Sequence, residues 1–129
     1  MSDVIHQEIT LAAEPSRVYE ALTSADQFGD LTGGVAAELS SDAGAPFSLF
    51  GGAITGRNIE LVPDRRIVQS WRGGPWEDGV YSIVKFELEG DTAGTKLVLD
   101  HAGFPEGQRD HLASGWDTNY WEPLRQHFA

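Results

Sequence analysis

The residues best able to do chemistry cluster late in the chain, in "TKLVLDHAGFPEGQRDHLASGWDTNYWEPLRQHF", which runs from Thr95 to Phe128. There His101 follows Asp100 and His111 follows Asp110, and an imidazole near a carboxylate is a natural acid–base pair. Parity along "TKLVLDH" separates the first pair. His101 shares a face with Leu97 and Leu99, so it points inward while Asp100 points out. His101 therefore reads either as a base or hydrogen-bond donor at a cavity mouth or as a satisfied structural histidine, and the structural reading is preferred. His111 precedes Leu112 on a helical stretch and reads as flanking or exposed. No HxH or HxxxH spacing occurs and the chain has no cysteine, so no metal site and no cofactor are expected.

Nucleophilic chemistry finds no frame either. No GxSxG elbow is present, and Ser114 in "SGW" has a helical context. The glycines of "GGAITG" lack the lysine and following helix of a phosphate loop. More promising are the polar residues that share parity with apolar ones. Arg57 aligns with Ile59 and Leu61, Gln69 with Ile67 and Trp71, and Ser82 with Val84 and Phe86. An inward arginine needs a carboxylate or an anionic ligand, because an unpaired buried charge is costly; the alternative is an exposed rim position. Trp76, in the glycine-flanked loop "RGGPWEDG", reads as an anchor for a protein partner or as a lid over an open cavity end.

The elements that must position these residues follow from periodicity. "VIHQEITLA" alternates as a first strand, with Ile5, Gln7, Ile9 and Leu11 on one face. "EPSRVYEALT" starts a helix on Pro15, and "SADQFGDLTGG" makes a short second one. Strands then follow in close succession: "PFSLF" and "AITGRNIELV" around an expected two-residue turn at Gly51-Gly52, then "RRIVQSWR", "VYSIVKFELE" and "TKLVLDH". Leu112, Trp116, Tyr120, Leu124 and Phe128 recur every fourth residue, with Trp121 alongside, which predicts a long terminal helix with an aromatic stripe. Pro123 is expected to kink it near Asn119.

Composition bounds the rest. A chain of 129 residues with 40% hydrophobic content fits one globular α+β domain. Its formal net charge of −11, with no basic cluster, repels phosphate backbones, so nucleic acid is not an expected partner. No apolar run approaches a membrane span and the first residues lack a signal-peptide pattern, so a cytoplasmic location without membrane insertion is expected.

The segments "LFGGAITGRNIELVPDRRIVQSWR", "GTKLVLDHAGFP" and "GWDTNYWEPLRQHF", in this order, resemble the START-like, birch-pollen-allergen-like (SRPBCC) superfamily. Within it the chain is similar to the C-terminal domain of the activator of heat-shock protein 90 ATPase, over about residues 45–128. The resemblance implies a helix-grip fold over residues 1–129: a curved antiparallel β-sheet wrapped around a long C-terminal helix, with two short helices after the first strand. It also implies three functional classes. A non-enzymatic module binding a small hydrophobic or amphipathic ligand between sheet and helix is preferred; its expected lining is Arg57, Gln69, Trp71, Ser82, Phe86, Leu99, His101, Leu112, Trp116 and Tyr120. A co-chaperone-like activator of a heat-shock-protein-90-type ATPase, with a role in stress response and Trp76 as its contact, is the alternative. A cyclase- or hydratase-like enzyme using His101 is the third. The eukaryotic co-chaperone carries a further N-terminal domain, whereas this sequence starts directly at the helix-grip domain, so partial ATPase stimulation is the expectation under the second reading.

Overall fold

The computed structural model describes residues 4–34, 37–40, 42–92 and 94–129. Among the described residues, six strands, β1 (Val4–Leu11), β2 (Pro46–Leu49), β3 (Ile54–Val62), β4 (Arg66–Gly73), β5 (Ser82–Asp91) and β6 (Gly94–Ala102), form one antiparallel curved sheet in the order β1-β6-β5-β4-β3-β2. Strand β1 (Val4–Leu11) buries Ile5, Ile9 and Leu11, as alternation requires, and pairs with β6 (Gly94–Ala102) along its whole length. Between β1 and the rest of the sheet come α1 (Pro15–Thr23), with proline in its first turn, and α2 (Ala25–Leu31), where Ser24 Oγ accepts from the Gln27 amide. Strands β4 (Arg66–Gly73) and β5 (Ser82–Asp91) complete the middle of the sheet. Ser82, Val84, Phe86 and Leu88 on β5 and Thr95, Leu97, Leu99 and His101 on β6 all face the core, as period two predicts. The "GDTAG" turn between these strands includes Ala93, which lies outside the described residues.

Strand β3 (Ile54–Val62) departs from that expectation. Its pairing with β4 passes from Asn58↔Gln69 to Glu60↔Val68, which leaves Ile59 as a bulge with no partner. The extra residue reverses parity across it. Asn58 is buried at 1% exposure, whereas Ile59 is 50% exposed and Arg57 is exposed too. Arg57 therefore does not point into the core; its guanidinium donates to the Gly44 carbonyl at 3.0 Å. Asn58 takes the inward place because its amide donates to the Ser40 carbonyl at 2.9 Å, while its backbone bonds to Gly44 and Ala45. The connection from β2 (Pro46–Leu49) to β3 is also longer than a two-residue turn. Leu49↔Ile54 is its closing pair, and Phe50, Gly51 and Gly52 in the loop take φ values of 55°, 68° and 96°. Three successive left-handed residues curl the chain back on itself. The unfavourable conformation at Phe50 is offset by its ring, which meets Phe28 at 5.6 Å and Tyr120 at 5.9 Å.

The C-terminal helix lies in the sheet's concave face as α3 (Arg109–Trp116), a π-helical turn (Asp117–Trp121) and α4 (Glu122–His127). Trp116, Tyr120, Trp121, Leu124 and Phe128 are buried along it. The regular helix is interrupted around Asn119, where Pro123 is expected to act, and the interruption takes the form of this widened turn. Glu122 N–H reaches back five residues to Asp117 O, so the turn takes up the misfit and Pro123 falls in the first turn of α4, where its missing donor costs little. The inserted residue also brings adjacent Tyr120 and Trp121 both into the core.

Candidate functional site

A pocket of about 340 Å³ opens between the first turns of the C-terminal helix and one end of the sheet. Trp71 from β4, Trp116 and Tyr120 from the helix, Phe50 from the left-handed turn and Trp76 from the β4–β5 loop supply its aromatic walls. Leu112 and Gly115 contribute from α3; the missing side chain at Gly115 leaves the pocket room, because an added Cβ there would meet only Asn119, at 3.6 Å. The polar edge comes from Gln108, His111 and Asn119.

Trp76 packs back rather than standing out, with 8% of its surface exposed. Two residues before its loop make this possible. Gly73 has no Cβ, and one built there would lie 2.8 Å from the Trp76 indole nitrogen, so any larger residue displaces the ring. Arg72 donates to the backbone carbonyls of Trp76, Glu77 and Val80, drawing the loop into a closed curl around one guanidinium. The sequence marks Trp76 as notable but carries no sign that Arg72 is the residue that positions it. Phe50 was equally illegible, since it reads as the last residue of a strand.

Four of the ten residues expected to line the cavity do so: Trp71, Leu112, Trp116 and Tyr120. Phe86 and Leu99 are core residues behind them, with Phe86 edge-on to Trp116 at 5.6 Å. Gln69 donates to Asn58 Oδ1 at 3.2 Å within the sheet, and Arg57 lies on the exposed side.

Ser82 and His101 sit behind Trp116 in a buried chain of hydrogen bonds. The Trp116 indole N–H donates to His101 Nδ1 at 3.1 Å. An indole nitrogen can only donate, so Nδ1 is the unprotonated nitrogen and Nε2–H donates to Ser82 Oγ at 2.7 Å. Ser82 in turn donates to the Trp71 carbonyl at 3.2 Å. Each group is satisfied, and the polarity is opposite to that of an activated serine, whose proton would go to the histidine. Burial alone lowers the His101 pKa to about 4, so the ring is neutral at pH 7. Burial likewise raises that of the Tyr120 hydroxyl, which stays protonated. This chain ties α3 to three neighbouring strands. Gln7, an inward residue of β1, adds a second tie: it accepts from the Trp121 indole at 2.6 Å and donates to the Ala113 carbonyl at 3.3 Å.

Among the described residues, no group of three or more His, Asp or Glu is placed to hold a metal ion, and no helix is long and apolar enough to cross a membrane.

Comparison with known proteins is consistent over nearly the whole chain. Residues 12–129 match the family described as activator of Hsp90 ATPase homolog 1-like protein. The mouse activator of 90 kDa heat shock protein ATPase homolog 1 is 27% identical over 120 residues, covering 93% of this chain and 35% of its own length. A Dictyostelium discoideum homologue is 32% identical over 91 residues, covering 69% of this chain and 24% of its own. The chain thus spans about a third or less of the length of these relatives. The crystal structure of an HSP90 activator from Plasmodium falciparum superposes with a TM-score of 0.86 at 29% identity, covering 98% of this chain and 95% of that one. The solution structure of an Aha1 dimer from Colwellia psychrerythraea has a TM-score of 0.79 at 19% identity over 95% of this chain and 93% of that one, a likeness of fold. Motifs, helix-grip architecture and family match agree: the chain belongs to the activator of Hsp90 ATPase homolog 1-like family.

Proposed function

We propose that this protein is a non-enzymatic, cytoplasmic helix-grip module that binds a small hydrophobic or amphipathic molecule between its sheet and C-terminal helix. The observation that carries the reading is the pocket of about 340 Å³ walled by Trp71, Trp76, Trp116 and Tyr120. Its volume lies within the usual range for small-molecule sites, and its apolar walls with few polar groups match their usual chemistry. The closed hydrogen bonding of His101 and Ser82 favours binding over catalysis. The test is native mass spectrometry of the purified protein, beside a variant in which Gly115→Leu fills the pocket. A small molecule that co-purifies with the wild type and is absent from the folded variant supports the reading. A wild type that carries nothing, and that takes up no member of an aromatic fragment library, removes it.

Family membership favours a second reading, co-chaperone action on a heat-shock-protein-90-type ATPase. Under it, excess protein should raise the steady-state ATPase rate of such a chaperone, and the strong negative charge should make the effect decline with salt. The Trp76 ring is packed inward, so this reading needs the loop to open, and Trp76→Ala should then reduce stimulation. No rate change and no calorimetric binding with either bacterial or eukaryotic chaperones would remove it.

A further inference from the structure

The C-terminal helix meets the pocket with two adjacent rows of side chains. Leu112, Trp116 and Tyr120, four residues apart, form an apolar row in which Trp116 and Tyr120 are buried. One residue before each of them lie His111, Gly115 and Asn119, a polar row whose first and last members are exposed. Gly115 is therefore a gap between two polar side chains. The Asn119 amide nitrogen lies 3.6 Å from where a Cβ on Gly115 would stand, so it borders the gap directly. Among the described residues, neither the His111 nor the Asn119 side chain is hydrogen-bonded to another part of the protein.

The opposite wall differs in kind. Ala53, Ile54, Trp71, Pro75 and Trp76 bring no carboxylate, amide, imidazole or cation. Hydrogen-bonding side chains with a free donor and acceptor thus lie on the helix side, at the exposed rim. Among the described residues, the lining as a whole contains no Lys, Arg, Asp or Glu. A carboxylate held there meets no cation, in a chain of formal net charge −11, and an ammonium meets no carboxylate.

Resting on the ligand-binding reading above, we propose that the Gly115 gap is a head-group site for an uncharged amphipathic molecule whose polar end both donates and accepts hydrogen bonds, such as a carboxamide or an alcohol. The apolar body of the ligand lies against the Leu112 row and the opposite wall. Its head rests over Gly115, where His111 and Asn119 can each donate and accept. A side chain at position 115 would take the place of that head. The competing pose turns the head to water and uses the apolar walls alone.

Naphthamide, naphthoate, naphthylmethylammonium and isopropylnaphthalene share one apolar body and differ in the head. Affinities would be measured by calorimetry at pH 8, with wild type and with the double variant His111→Ala/Asn119→Ala, whose folding is checked by circular dichroism. The double variant should lower naphthamide affinity about tenfold relative to that of isopropylnaphthalene, the loss of roughly two net hydrogen bonds. Each charged probe should bind the wild type at least about tenfold more weakly than naphthamide. A ratio of naphthamide to isopropylnaphthalene affinity that the double variant leaves unchanged overturns the proposal, because the head then sits elsewhere. Either charged probe binding as tightly as naphthamide overturns it too. In both cases the pocket would still be a ligand site. Failure of every probe to bind removes the underlying ligand-binding reading itself.

Discussion

His101 carries a testable consequence of burial. In the fold its pKa falls from 6.5 to about 4 because desolvation opposes the imidazolium, and both nitrogens already have partners. As pH drops from about 6.5 towards 4, the unfolded chain takes up a proton that the folded chain resists, so stability falls across that window by roughly 3 kcal/mol in full. Above the upper limit the group contributes no pH dependence. His6, whose nitrogens meet Asp100 and Glu8 on the outer face, is shifted upward by those contacts and acts in the opposite direction. His101→Gln isolates the buried ring, since His6 is common to both proteins. The variant should lose about 1–3 kcal/mol at pH 7, because Trp116 or Ser82 is left without its partner. It should then lose less than the wild type between pH 7 and pH 4.5, as read by urea unfolding. Equal losses would place a protonated imidazole in the folded core.

At the scale of elements, the β4–β5 loop and the C-terminal helix make opposite uses of backbone polar groups. The loop is held by one side chain, with Arg72 gathering the carbonyls of Trp76, Glu77 and Val80. Arg72→Met keeps much of the stem and deletes the donors. It should speed hydrogen exchange at loop amides 76–80 and shorten the residence time of pocket probes, at a stability cost of about 1–3 kcal/mol. Unchanged exchange would mean that packing of the Trp76 ring alone closes the loop. In the helix, Pro123 stands just after the π turn, where the bond it cannot make has already been displaced. A proline inside a regular helix costs about 3 kcal/mol or more. Here Pro123→Ala should change stability by less than about 1 kcal/mol, because the π turn has already taken up the misfit. A gain near the full amount in urea unfolding would show that the turn relieves none of it.

Across the whole molecule, 20 acidic residues face nine Lys and Arg. Part of that imbalance is managed on the outer face of the sheet, where Asp100, Lys85, Glu87, Arg66 and Glu60 form a line of alternating charge across four strands. These side chains are between a third and a half exposed, so each pair contributes little and salt weakens it. The unpaired excess repels itself at longer range, and salt screens that too. With acids more than double the cations, relief of repulsion should win. The melting temperature should rise by several degrees between low salt and about 0.5 M sodium chloride. A fall would show that the paired network outweighs the net charge.

Period-two alternation and the four-residue aromatic recurrence were sufficient to place β1, β5, β6 and the terminal helix. Burial of one face is a local instruction, repeated at every second or every fourth residue. The same logic failed on β3. One unpaired residue, Ile59, reverses the parity on either side of it, and that bulge depends on the register against β4 and on the bonds that Ser40, Gly44 and Ala45 make to Asn58. The candidate site was legible as an aromatic stripe facing a sheet. Its closure was not, because Trp76 becomes a wall only when Arg72 curls the loop and Gly73 clears space for the ring. His101 shows the division most clearly. Its inward direction follows from parity with Leu99, but its role follows from Trp116 and Ser82, 15 and 19 residues away in sequence. Direction belongs to the strand's repeat, whereas hydrogen-bond partners are chosen only when distant elements pack, and only that packing decides whether an imidazole keeps a free lone pair.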